Sequence, residues 1–584
     1  MKILNDYLQE AASTEQIVQF YSLKKIERFT YNDIFKNCQK TAATLQKLGI
    51  KKGDRVAIML PTEVNFYYAF FGALLIGAIP AALYPPVSLG QFTEWKQRTQ
   101  ICLDSINTKI ILTNNLMIGV VNQLKTATGA LTIEDSLKSD SILSTQMINE
   151  EDLAFIQFSS GSTGIPKPVA LTHKAVVTNA LTILESLPSD HNNKAVSWLP
   201  LYHDMGLIGC LIATMMSKGE LTLIRPEQFL TNPILWFKAL TETKANFSVA
   251  PNFAFGLCEK KISLNDCYEL KIDLSHWKNV LCGAEPVSYK TLKDFSDKFK
   301  AIGFKFNAIT PVYGLSEGSL AVSFAKIGEE PKILYFDEYE LQINGKAQIA
   351  SNKTLGIGLV SLGHPLNEVF LEVRNLDNQK VQDQEVGILW IKGPSLLKEY
   401  FQMSEATNAV LKNGWFNTGD RAFIFEGNLY ICGRYKDIII KNGKNIDPTS
   451  IEEVVNKVPF IRAGRSVAFS YVNNSTQLEE IVLTVEVDKS KLNEINASDA
   501  KEVIKQTVLK NINIVIDEVV LLSKGETPRT SSGKIKRFDT KMQFINKKLA
   551  NNKNVPNKFK LIAENYLFKI KYRCQKAIQN IIRF

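Results

Sequence analysis

The stretch "SSGSTGIPK" places Ser159, Ser160, Gly161, Ser162, Thr163, Gly164 and Lys167 in one short loop. Small residues leave backbone N–H groups accessible, and glycines permit the tight turns and close approach that a phosphate nest needs. The hydroxyls add donors and the lysine adds charge. No GK[ST] follows the glycines at the Walker A spacing. By composition the loop reads equally as an anion grip or as a flexible turn. Other residues with chemical potential are scattered. His203 is one of five histidines, and a lone histidine is more often a satisfied core residue than a catalyst. Asp420 closes "WFNTGD", where it could be a turn residue or cap. Lys534, inside "TPRTSSGKIKR", taken alone is a solvated surface charge.

These residues need a scaffold. From about 28 to 430 the chain alternates helix-like and strand-like patterns. "YNDIFKNCQKTAATLQKLGI" has helical spacing and predicts a helix ending near Gly49. "RVAIML", "AVSWLP", "ELTLIR", "NFSVAP" and "KNVLCG" predict short buried strands. Repeated βα units imply parallel sheets covered by helices. After Arg434 the pattern restarts on a smaller scale. "IDPTSIEEVVNKV" predicts a helix with Asp447 as cap and Pro448 in its first turn, "AGRSVAFSYV", "EEIVLTVEV" and "IVIDEVVLL" predict strands, and "DAKEVIKQTVLKNI" predicts a helix. The fold class is therefore α/β, with a large multi-sheet N-terminal domain and a small C-terminal α/β domain. The 584 residues exceed what one core usually holds.

The eight cysteines are far apart, with no CxxC and no Cys/His cluster. That argues against a disulfide framework or a structural zinc site and suits a reducing cytosol. "MKILNDYLQEAAS" lacks an apolar core of signal-peptide length, so the protein is expected in the cytoplasm. The uncharged run Phe66 to Pro86 is broken by two glycines and Pro80. It predicts a buried helix to about Ile76 and a buried strand from Ile79 to Tyr84 rather than a membrane span.

In order along the chain stand "SSGSTGIPK", "WLPLYHDMGLIG", "GAEPV", "VYGLSE", "WFNTGD", "GRYKDIIIKNGKNIDPTSIE" and "TPRTSSGKIKR". This series resembles the adenylate-forming superfamily of acyl-CoA synthetases, peptide-synthetase adenylation domains and luciferases, and it covers nearly the whole chain. The resemblance implies that ATP and a carboxylate give acyl-AMP and pyrophosphate. It implies that Ser159, Ser160, Gly161, Ser162, Thr163, Gly164 and Lys167 hold phosphates. Glu317 would bind Mg²⁺ and Lys534 would reach both reacting oxygens. Gly283, Ala284, Glu285, Tyr313, Gly314 and Ser316 would enclose adenine, and Asp420 and Arg434 the ribose. His203 is placed near the acyl carboxylate. Tyr202, Met205, Gly206, Phe253 and Phe255 fall in regions bordering the acyl pocket, although Tyr202, Phe253 and Phe255 read equally as core aromatics. The hinge falls near Lys436. The implied domains are 1–433, with the ATP and acyl sites, 434–545, mobile and carrying the catalytic lysine, and a basic tail at 546–584.

Within the superfamily, "PAALYPP", "VAPNFAFGL" and a long segment between "VYGLSEG" and "GHP" resemble fatty acyl-AMP ligases. The resemblance implies an insertion within that segment, at about 326–360. In that branch the insertion restricts the domain swing that CoA thioesterification requires. A passive surface hairpin turning at Asn344-Gly345 is the alternative. Pro168 stands where many relatives have glycine, and Ser316 stands where threonine is more common. The implied partners are a fatty acid and an acyl carrier protein with its phosphopantetheine arm; no carrier domain is expected in the tail, and no nucleic-acid partner is expected. The alternatives are a long-chain acyl-CoA synthetase and a catalytically dead adenylate-binding protein.

The net charge is +10, and residues 547–584 hold ten Lys or Arg against Glu564 alone. From Ala563 onward, Leu567, Ile570, Cys574, Ala577, Ile581 and Phe584 recur at helical spacing. Such a basic amphipathic segment suits an acidic carrier, a peripheral membrane contact, or packing on the protein body with solvated lysines.

Overall fold

The uncharged run divides at Gly77 alone; Gly72 lies inside the helix before it and Pro80 inside the strand after it. In the computed structural model, helix Val64–Leu75 is buried from Phe66 to Leu74. Gly77 takes φ +69°, and strand Ile79–Ala82 follows, every residue buried. The strand ends two residues short of Tyr84, which is 37% exposed. Among the described residues no helix is long and apolar enough to cross a membrane. Those residues are 1–85, 92–138, 142–159, 166–188, 194–342, 344–352, 356–437, 439–441, 444–472, 479–488, 490, 496–512, 514–529, 535–546 and 549.

They group into two units, one drawn chiefly from Met1–Pro85 and Lys96–Ser450, the other chiefly from Ile451–Pro528 and the described residues from Ile535 on. In the first unit, strand Ile79–Ala82 belongs to a seven-stranded sheet in the order Glu399–Tyr400, Lys167–Thr172, Leu153–Ser159, Ile79–Ala82, Arg55–Ile58, Ile110–Thr113, Ala130–Thr132. Its last five strands pair parallel. Its first three pair antiparallel. A nine-stranded sheet runs His364–Pro365, Ala321–Phe324, Ile309–Gly314, Asn279–Gly283, Phe247–Pro251, Lys194–Ser197, Glu220–Ile224, Ile17–Tyr21, Ile26–Thr30. Its centre is parallel. The central parallel strands are buried almost throughout, as in parallel sheets that helices cover. Helix Tyr31–Lys47 is a case in point. Thr30 and Asp33 form a capping box, and Ile34, Cys38, Ala42 and Leu45 are buried.

A five-stranded antiparallel sheet contains Phe370–Arg374, Gly387–Lys392, Leu411–Lys412, Trp415–Phe425 and Asn428–Arg434. The expected insertion packs here. Strand Ile333–Asp337 pairs antiparallel with Gly356–Val360. Helix Glu338–Gln342 follows the first of these strands. The two strands are therefore not joined by a two-residue turn at Asn344-Gly345, although Gly345 does take φ +65°. A helical turn starting at Glu338 carries the chain away before that dipeptide is reached. Phe336 is fully buried, with ring centroids 4.9 Å from Phe423, 5.3 Å from Phe425 and 5.4 Å from Tyr430.

The second unit has a three-stranded sheet of Ile461–Val472, Glu479–Val487 and Glu518–Leu522. Helix Arg537–Ile545 follows, and its Phe544 ring meets Phe469 and Tyr471. The last strand is shorter than "IVIDEVVLL" suggests, because Asp517 Oδ2 accepts the Ile481 N–H at 2.6 Å and ends the pairing. At the edge of the first unit, Asp447 accepts the Thr449 N–H at 2.9 Å and caps helix Pro448–Val455 as expected.

Candidate active site

Ser159 ends one strand of the seven-stranded sheet and Lys167 begins the next, and the two residues are register partners. The hairpin thus brings the ends of the Ser/Gly/Thr loop together. Ser160, Gly161, Ser162, Thr163 and Gly164 lie outside the described residues, as does Lys534. Pro168 pairs with Phe158 at the start of its strand, a position where a missing N–H is tolerated.

The edge strand Glu399–Tyr400 sets Tyr400 opposite Val169. From there Tyr400 touches two predicted site residues. The Lys167 ammonium lies 4.5 Å from the centre of its ring. Its hydroxyl donates to Glu317 Oε1 at 2.9 Å. Burial and the neighbouring Glu317 push the Tyr400 phenol up, so it stays protonated and acts as donor. Burial also pushes the Glu317 carboxyl up, opposed by this hydrogen bond and by Arg434, and reinforced by Asp204. Among the described residues no group of three or more His, Cys, Asp or Glu could hold a metal ion. One carboxylate nevertheless suits Mg²⁺, which commonly takes one or two carboxylates and completes its shell with phosphate oxygens and water.

Ser316, beside Glu317, donates to Asp204 Oδ2 at 2.5 Å. Asp204 Oδ1 lies 2.6 Å from His203 Nδ1. Glu317, Tyr400 and Lys167 are thus linked on one side, and Ser316, Asp204 and His203 on the other. Tyr202 is tied in through its carbonyl, which accepts from Gln157 Nε2 at 2.8 Å. Its ring lies edge-on to Tyr84 at 5.2 Å. Met205 and Gly206 are buried in the short helix Asp204–Gly206. Gly206 is obligatory, since a Cβ there would run into the Pro200 carbonyl.

Asp420 and Arg434 are register partners of adjacent antiparallel strands. The Asp420 carboxylate receives Arg434 Nε at 2.8 Å and the Tyr313 hydroxyl at 2.6 Å. Burial and then the Asp420 charge push the Tyr313 phenol well up. Asp420 in turn holds the guanidinium firmly charged. Tyr313 and Gly314 end the strand Ile309–Gly314. The next strand ends at Gly283, where a Cβ would come within 2.6 Å of the Val312 carbonyl oxygen. Ala284 then takes φ +66°, a strained conformation for a residue with a Cβ and one that clusters at functional sites. Glu285 uses Oε1 to accept the Phe253 N–H at 2.5 Å, at the start of helix Asn252–Lys261. Phe253 stands edge-on to Trp198 at 5.8 Å. Phe255 is fully buried against Phe295 at 5.0 Å and Trp236 at 6.2 Å, an ordinary core environment. Lys436 lies in the single turn Tyr435–Asp437.

Two residues of this arrangement were not singled out from the sequence. Asp204 stands inside the quoted "YHDMG" and could have been found as a carboxylate beside the histidine. Tyr400 carries no local signal; its position depends on strand pairing.

The AMP-binding enzyme family model matches residues 8–401. A Disco-interacting protein 2-like AMP domain model matches residues 436–554. JamA of Moorena producens (strain JHB), a medium-chain-fatty-acid–[acyl-carrier-protein] ligase, is 29% identical, covering 93% of this chain and 95% of JamA. FadD32 of Mycolicibacterium smegmatis, a long-chain-fatty-acid–AMP ligase, is 30% identical, covering 86% and 87% of the two chains. A solved structure from a study of fatty acyl-adenylate ligases of E. coli and L. pneumophila superposes with a TM-score of 0.87 at 30% identity, over 93% of this chain and 98% of that one. The chain belongs to the AMP-binding enzyme family.

Proposed function

We propose that this protein activates a fatty acid with ATP to acyl-adenylate and passes the acyl group to the phosphopantetheine thiol of an acyl carrier protein in the cytoplasm. The observation that carries the reading is Tyr400, which holds the loop cation Lys167 and the half-buried carboxylate Glu317 on one side chain. A phosphate chain needs a cation and a metal-binding carboxylate in such proximity. The names and coverage of JamA and FadD32 support the substrate class, and JamA supports the carrier acceptor.

A fatty carboxylate is already ionised at neutral pH, so no general base is required. Its oxygen attacks the α-phosphorus. The bond to the bridging oxygen breaks, and pyrophosphate departs with that electron pair. Negative charge gathers in the transition state and must be met by preorganised donors. Lys167 and the loop from Ser159 would hold the leaving phosphates, and Lys534 would meet the reacting oxygens. Bound at Glu317, Mg²⁺ would supply charge neutralisation on phosphate oxygens. Tyr313, Gly283 and Ala284 would flank adenine. A carboxylate has about four acceptor sites, so Asp420 keeps capacity for ribose hydroxyls beyond its bonds to Tyr313 and Arg434. In the second step the carrier thiol releases its proton to solvent, its sulfur attacks the acyl carbon, the bond from that carbon to the phosphate oxygen breaks, and AMP leaves with that electron pair as the thioester forms.

The test is pyrophosphate release from laurate and MgATP, alone, with CoA and with a phosphopantetheinylated carrier. A burst of adenylate without acceptor, and thioester with the carrier alone, are expected. No laurate-dependent pyrophosphate would sink the adenylation reading. Acyl-CoA formed as fast as adenylate would replace the carrier reading with an acyl-CoA synthetase.

A further inference from the structure

Asp204 opens the short helix Asp204–Gly206, and its side chain is 8% exposed. Burying a carboxylate is costly unless its acceptors are used, and here they are. Oδ1 receives the Met205 N–H at 2.8 Å and meets His203 Nδ1 at 2.6 Å. Oδ2 receives the Ser316 hydroxyl at 2.5 Å. An ionised carboxylate only accepts, so the Nδ1 facing it carries the proton and Nε2 is left as the other polar atom of His203. The order hydroxyl–carboxylate–imidazole also rules out a nucleophilic serine. The carboxylate stands between Ser316 and His203, whereas a triad needs the imidazole in the middle. The backbone beneath is well anchored. Leu207 N–H bonds to the His203 carbonyl at 2.8 Å, and the wide-turn helix Leu207–Ile212, buried throughout, begins there. Single turns of this kind recur at functional sites.

We propose that Asp204 is a positioning residue for adenylation. Through one buried carboxylate it sets the tautomer and orientation of His203 and fixes the turn Ser316–Gly318 that carries Glu317, so that the acyl end and the metal end of the site are held in register. This rests on the proposed function for its kinetics but not for its spectroscopy. The partners that orient such groups typically change activity 10–100-fold when removed.

The test compares the full chain with Asp204→Asn and Ser316→Ala. Asparagine keeps the volume but offers one acceptor oxygen in place of two, and its amide would face a donor. In the resting protein labelled with ¹⁵N-histidine, the His203 signal, assigned with His203→Gln, is expected to show protonated Nδ1 in the full chain and in Ser316→Ala, and a mixture of tautomers in Asp204→Asn. Pyrophosphate release with laurate and MgATP is expected to fall about 10–100-fold in kcat for Asp204→Asn and several-fold for Ser316→Ala, with ATP KM within about threefold of the full chain in both. An unchanged His203 signal in Asp204→Asn, or wild-type kcat in that variant, overturns the proposal. If Asp204→Asn does not fold, Ser316→Ala decides. A loss confined to ATP KM shows that Ser316 serves the nucleotide and not Asp204, and overturns it. A full chain with protonated Nδ1 but no laurate-dependent pyrophosphate sinks the adenylation reading and leaves the His203–Asp204 geometry standing.

Discussion

Lys167 and Glu317 carry opposite charges, yet the structure joins them through a neutral phenol. Tyr400 offers its ring to the first and its hydroxyl to the second. The two contacts can be separated. Tyr400→Phe keeps the ring and removes the donor to Glu317, so ATP affinity in Mg²⁺, measured by calorimetry, is expected to weaken a few-fold. Tyr400→Leu removes both contacts and is expected to weaken it further by about 0.5–2 kcal/mol, the scale of a cation–π contact. Equal affinity of the two variants would show that the ring does nothing for Lys167. Lys534→Ala should fall on the rate instead. About 10²–10³-fold is expected in single-turnover adenylate formation, the usual effect of losing one transition-state donor, with ATP binding retained. The sequence motifs name Asp420, Tyr313 and Arg434 separately, and the structure shows them to be a hydrogen-bonded set. Tyr400 was not legible, because no local pattern reveals which residue an edge strand places opposite Val169.

At the scale of elements, apolar runs and caps were the legible part. The parallel strands, the capped helix at Pro448 and the break after Leu75 follow from burial on both faces, an Asp-Pro start and a glycine at positive φ. Pairing over distance was not legible. The sequence marks the chain between 326 and 360 only as an expected insertion, and the fold shows its Phe336 seated on Phe423, Phe425 and Tyr430. These belong to the two strands that bear Asp420 and Arg434. Phe336→Ala is expected to cost about 3–5 kcal/mol of local stability, read as faster amide exchange in strands Ile333–Asp337 and Gly356–Val360. Slow exchange in both would show that the cluster is not what holds the insertion. The N-terminal helix Leu4–Ala12 is anchored differently. Its Leu4 N–H reaches the buried His173 Nδ1 at 3.4 Å. Burial pulls His173 from 6.5 down to about 4, so the folded chain keeps it neutral while the unfolded chain protonates near 6.5. Stability from this residue is therefore complete above pH 6.5 and is lost as pH falls towards 4, by roughly 3 kcal/mol at 1.36 kcal/mol per pH unit. His173→Gln should flatten the acid limb of the melting temperature between those values. An unchanged slope would mean that other groups set it.

At the scale of the whole molecule, charge is unevenly placed. The chain carries +10, and residues 547–584 hold ten basic residues against one acid, so the remaining chain is nearly neutral. A near-neutral body neither attracts nor repels an acidic carrier over distance, whereas a segment of +9 does, within a Debye length of about 8–10 Å at physiological salt. Steering therefore belongs to the tail if it belongs anywhere. The fold sets where the tail can be cut. Phe544 packs on Phe469 and Tyr471, so truncation belongs after Asn546, beyond helix Arg537–Ile545, and leaves those contacts intact. Adenylation uses small ligands and should be unchanged in the shortened protein. Acyl transfer to an acidic carrier should slow, most at low salt, and should lose most of its dependence on ionic strength. Sedimentation with anionic vesicles separates the membrane alternative. Loss of vesicle binding on truncation, with transfer to the carrier unaltered at low salt, would assign the tail to a lipid surface and remove it from carrier recruitment.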